Sequence, residues 1–157
     1  MYKGALFNKV RTHRFILWRI WNNSKPMCMF IGLNGSRADE NTNDPTVTRC
    51  QNYAMTWEYG GLYMANAFSL MSTNPAKLYS HPEPNLPDND AFIRSYAERS
   101  GIVIAAWGNH GAFQNRGKDI IRMGLTLHCL GTTKTGQPKH PLYLKADLQP
   151  TLFCSTV

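Results

Sequence analysis

The chain has 157 residues, 43% of them hydrophobic and 17% charged, which excludes a disordered tail and suits one domain with its own core. Seventeen Lys and Arg against ten Asp and Glu give a formal charge of +7, a balance that suits a polyanionic partner, because each neutralised phosphate releases counterions. The four cysteines (Cys28, Cys50, Cys129 and Cys154) are far apart and form no Cys-x-x-Cys pair, so neither a metal nor another cofactor is expected.

The first apolar segment, Phe15–Trp21, is interrupted by Arg19. It is too short and too charged to span a membrane, and no signal-peptide cleavage pattern accompanies it, so a cytoplasmic protein with no membrane partner is expected. "PMCMFIGL" (Pro26–Leu33) is near-continuously apolar, as a strand buried on both faces of a parallel sheet would be. After the start signal Asp44-Pro45-Thr46, Val47, Cys50, Ala54 and Trp57 recur at spacings of three and four, which predicts a helix over Thr46–Tyr59. A second buried strand follows at Gly61–Phe68. Asp88–Ser100 then places Phe92, Ile93, Tyr96 and Ala97 on one helical face. A third strand is expected at Gly101–Gly108, a shorter helix at Gly117–Met123 and a fourth strand at Gly124–Gly131. This alternation predicts a single α/β domain with its core at about 26–144: a three-layer α/β/α sandwich around a short, mainly parallel four-stranded sheet.

In such sheets ligands bind beyond the carboxyl ends of the strands, so the residues after each apolar run are the informative ones. The first run opens into Leu33-Asn34-Gly35-Ser36-Arg37, with Asp39, Glu40 and Asp44 close behind. The second ends at Asn66, the third in "AAWGNHG" with Asn109 and His110, and the fourth is followed by Lys134, Lys139, His140 and Pro141. Amides that read a base edge and lysines that hold phosphates would meet on one edge.

The order of these blocks resembles the uracil-DNA glycosylase superfamily. "GLNG" resembles its water-activating loop, "YMANAFSL" its base-reading strand, "VIAAWGNHG" its third strand, and "KHPLYL" its His-Pro loop. A smaller group of bacterial and phage proteins with "LNPS-ADE…DPT", "AWG" and "HPLYL" blocks is similar too. The resemblance implies a glycosylase-like fold and hydrolysis of the N-glycosidic bond of a flipped, uracil-like or modified base, in DNA repair or DNA modification. It implies that Asn34 orients the water, that His140 stabilises the leaving base, and that Asn66 reads the base beside Leu33 and Phe68. Ser36, Arg37, Arg49, Asn109, His110, Lys134 and Lys139 would contact phosphates. The partner would be DNA or a nucleotide, and the protein a monomer. Gly35 stands where those enzymes carry proline, and the serines that follow their His-Pro loop are missing.

Each residue has a plainer alternative. Asp44 either activates water or caps the helix that follows it; Arg37 and Arg49 either bind phosphate or pair with the nearby acids. Asn66 would satisfy turn backbone, His140 would be a loop residue before proline, and Lys134 and Lys139 solvated charges. Two further functions fit the same residues: a nucleic-acid or modified-nucleotide binding module without catalysis, and a hydrolase of free nucleosides or nucleotides.

Overall fold

A computed structural model describes residues 1–155. The chain forms β1 (Tyr2–Phe7), β2 (Arg14–Ile20), β3 (Met27–Gly32), α1 (Pro45–Thr56), β4 (Gly61–Asn66), α2 (Lys77–Ser80) and α3 (Asn89–Glu98). It continues as β5 (Ser100–Ala105), a 3-10 segment (Asn109–Asn115), α4 (Arg116–Ile121), β6 (Leu127–Cys129) and β7 (Thr151–Cys154). The strands make one mixed seven-stranded sheet in the order β1-β2-β4-β3-β5-β6-β7. The short four-stranded sheet expected from sequence is corrected accordingly. β3 runs parallel to β4 and β5, and β5 parallel to β6, but β2 joins β4 antiparallel and carries β1 outside it, and β7 closes the other edge antiparallel to β6.

The reason lies in the segment Phe15–Trp21. A membrane span needs some twenty residues, but β2 needs only seven, and Arg19 does not interrupt it because its side chain is buried and each guanidinium nitrogen donates a hydrogen bond. β1 and β7 are edge strands with half-exposed patterns, "YKGALF" and "TLFC", that carry no continuous apolar run.

Successive strand residues point to opposite faces, and both faces are covered. Met29, Ile31, Val103 and Ala105 pack with Ile93 and Ala97 of α3 and Ile120 of α4. Cys28, Phe30, Leu62 and Ile104 pack with Val47, Cys50, Tyr53 and Ala54 of α1, and Leu144 and Leu148 cover the same side. α1 starts at Pro45 because Asp44 Oδ1 accepts from Val47 N at 2.9 Å, satisfying one of the orphan donors of the first turn. Among the described residues no helix is long and apolar enough to cross a membrane.

Candidate functional site

A cleft of about 580 Å³ opens at the carboxyl ends of the parallel strands. Leu33 and Asn34 enter it directly after β3, and Trp107, Asn109 and His110 after β5. Ser72 and Thr73 come from the segment after β4, Asp44 from the start of α1, and His140 and Leu142 from the loop after β6. Ser36 completes the wall beside Asn34. Residues distant in sequence thus converge where open α/β sheets bind ligands.

Asn34 is fixed by its surroundings. Its Nδ2 donates to the carbonyl oxygens of Gly35 (3.2 Å), Leu70 (3.4 Å) and Ser72 (3.1 Å). Carbonyls only accept, so the amide has one permitted orientation, and Oδ1 is left as an acceptor with no donor among the described residues.

His140 is set just as firmly. Its Nδ1 accepts from Leu142 N at 3.2 Å, and a main-chain N–H can only donate, so the neutral ring carries its proton on Nε2. Burial pushes its pKa below the usual value, and the Asp44 carboxylate offsets part of that shift. His140 is therefore a neutral ring whose donor is Nε2–H.

Asp44 serves two structures at once. It caps α1 through Oδ1, and its Oδ2 accepts from Ala38 N at 3.4 Å. Each carboxylate oxygen keeps a second lone pair, so this buried carboxylate on the cleft wall has acceptor capacity beyond its two main-chain partners.

The remaining sequence-derived residues divide. Asn109 and His110 line the rim: Asn109 Oδ1 accepts from Thr133 Oγ1 (2.7 Å) and Thr135 Oγ1 (2.8 Å), and His110 Nδ1 lies 2.9 Å from Tyr79 Oη. Asn66 is not on the cleft wall. It is buried, with Oδ1 turned to Arg14 Nη2 and Nδ2 to Ala65 O, each at 3.2 Å, the orientation a donor-only guanidinium requires. Phe68 is fully buried against Phe113. Arg37, Lys134 and Lys139 are exposed and outside the cleft, and Arg49 lies in an adjoining groove along α1. Asp39 and Glu40 are spent locally: Asp39 Oδ1 accepts from Asn41 N, Thr42 N and Thr42 Oγ1, which holds its pKa below the usual carboxylate value, and Glu40 pairs with Arg11 at 2.9 Å.

Sequence reasoning missed the two arginines that shape the site. Arg14 and Arg19, both on β2, are buried under the loop 33–44. Arg14 donates to Ala38 O at 3.0 Å. Arg19 donates to Asp39 O (2.6 Å), Thr42 O (3.0 Å), Trp18 O (2.8 Å) and Asn43 Oδ1 (2.8 Å). Burial lowers the Arg14 pKa to about 10, partly countered by Asp44, so both remain cations that clamp the loop. A Cβ on Gly35 would stand 3.1 Å from Arg14 Cζ, which accounts for the glycine after Asn34. The one sequence signal was a charged residue inside an apolar run.

Comparison with curated proteins and with solved structures gives no match. A family model does match, over residues 14–142, and its description is "Protein of unknown function (DUF1643)". The resemblance to uracil-DNA glycosylases is corrected by this finding, since the blocks that carried it begin inside the matched region of a different family, and all but the end of "KHPLYL" lie within it. With most of its length, from β2 to the His140 loop, inside that match, the chain belongs to the DUF1643 family.

Proposed function

We propose that the protein hydrolyses the N-glycosidic bond of a base-bearing nucleotide held in this cleft. One observation carries the reading: a fixed acceptor (Asn34 Oδ1), a carboxylate (Asp44) and a neutral imidazole with its donor on Nε2 (His140) share one pocket. Its volume, about 580 Å³, lies in the range of small-molecule sites. In the reaction a water oxygen bonds to C1′ while the C1′–N bond breaks, and the bonding pair leaves with the base. Asn34 Oδ1 orients the water and the Asp44 carboxylate takes its proton. His140 Nε2–H donates to the leaving base, most strongly as negative charge develops there, and needs no second proton to do so. The base then takes its proton from solvent. Leu33 and Trp107 supply the apolar wall.

The test is release of free base, detected by mass spectrometry, from single- and double-stranded DNA and from mononucleotides carrying uracil or modified bases. Asp44→Asn keeps a capping side chain and removes the base, and His140→Ala removes the donor; each is expected to lower release by about 100-fold or more. Bound but intact substrate would overturn the hydrolase and leave a nucleotide-binding module. The double use of Asp44 as a helix cap is the observation that favours that second reading.

A further inference from the structure

We propose that the groove beside the cleft is a subsite for the nucleotide flanking the reacting one: its base stacks on Tyr143 and its phosphate meets Arg49. The substrate is then a single-stranded oligonucleotide. This rests on the reading of the cleft given above. The groove, about 600 Å³, runs along α1 and shares Asp44, Pro45 and Leu142 with the cleft, so one ligand can lie in both.

Two side chains in it stand ready for a ligand: Tyr143 in solvent, and Arg49, which engages the fold through Tyr53, its Cζ 5.4 Å from that ring's centroid. Tyr143 is 93% exposed, and its φ of +69° is a left-handed conformation that a bulky L-residue rarely adopts. Its neighbours hold it there: Pro141 is buried, Leu144 packs on the α1 side of the core, and the Lys145 carbonyl accepts from Tyr53 Oη. A strained backbone that keeps an aromatic ring in solvent beside a polar cleft is the arrangement of a binding platform. Arg49 is half-buried, with its Nε buried and unpartnered, and no carboxylate lies within ion-pair reach of it among the described residues. A cation without a counterion on a groove wall suits a phosphate. A base lying on Tyr143 must have left its own stack, which selects single-stranded substrate.

The experiment is fluorescence anisotropy with labelled oligothymidylate and oligouridylate, and with thymidine monophosphate as competitor, at several salt concentrations. The two polymers distinguish DNA from RNA. Wild type is expected to bind oligomer about 10-fold or more tighter than mononucleotide, and Tyr143→Ala to lose about 10-fold on the oligomer only. Tyr143→Phe keeps the ring and is expected within about twofold of wild type. Tyr143→Gly, at ease at positive φ, is expected to melt no lower than wild type yet to bind like Tyr143→Ala, which separates strain from stability. Arg49→Gln should reduce the salt slope by about one. Oligomer binding that ignores Tyr143→Ala, or a wild type without preference for oligomer, overturns the subsite. Tyr143-dependent oligomer binding without base release would sink the hydrolase and leave the subsite standing; equal release from mononucleotide and oligomer would do the reverse.

Discussion

Asn34 donates to three carbonyls, so its amide nitrogen is structural, while its oxygen is left without a donor among the described residues. An aspartate there turns a carboxylate oxygen onto the same carbonyls. Asn34→Asp is therefore expected to cost about 1–3 kcal/mol of stability, and more than Asn34→Ala, in urea denaturation. Gly35→Ala is expected to cost about 1–3 kcal/mol as well, because the Arg14 guanidinium that the new methyl meets is buried and held by Ala38 O and Asn66. His140 sets a pH dependence. Its folded pKa lies below the unfolded value near 6.5, so the unfolded chain binds the extra proton first and stability falls as pH drops below about 6.5. His13, lowered mainly by burial, acts in the same direction. Melting temperatures from pH 7.5 to 5 should decline, and His140→Gln should remove part of that slope. At this scale Asn34, Asp44 and His140 were legible as polar residues following apolar runs. The inward turn of Asn66 was not, because sequence places a residue at a strand end without saying which buried cation waits beside it.

At the scale of elements, β2 builds the site it does not line. Its two arginines convert the loop 33–44, which has no regular structure of its own, into a clamped wall of the cleft. Arg19→Leu keeps much of the volume but strands two loop carbonyls and the Asn43 amide oxygen, at a cost of about 3 kcal/mol. Hydrogen exchange should then accelerate over residues 38–43 while α3 stays protected; uniform acceleration would show that Arg19 serves the whole core instead. Arg19→Lys is not a rescue, since one ammonium cannot reproduce a planar fork with five donors. The helices were easier to anticipate than this clamp. Asp44-Pro45 marks the start of α1 by local chemistry, and the spacing of Ile93 and Ala97 marks the buried face of α3.

For the whole molecule, the sheet extends past the region that carries the site. A fragment of residues 14–142 loses β1, β7 and the cover that Leu144 and Leu148 give the α1 side, together with the bond from Trp57 Nε1 to Leu148 O at 3.0 Å. It also leaves β2 and β6 as bare edges, which invite pairing between chains. The fragment is expected to melt well below the full chain and to aggregate at lower temperature, as calorimetry and light scattering would show. Equal melting would mean that the five strands β2-β4-β3-β5-β6 fold without β1 and β7.

The sequence by itself determined what local chemistry and double burial dictate. Strands covered on both faces leave continuous apolar runs, so β3, β4, β5 and β6 were readable, and a capping acid before proline announced α1. Only the tertiary structure decided the rest. The edge strands β1 and β7 are half-exposed and carry no such run. Arg19 interrupts an apolar segment in the sequence, and only the fold brings the carbonyls of residues 39 and 42 to its guanidinium and makes that segment a strand. Asn34 and Asp44, which share one loop, and His140, far along the chain, line one cleft because three crossovers bring the loops after β3 and β6 to the same end of the sheet.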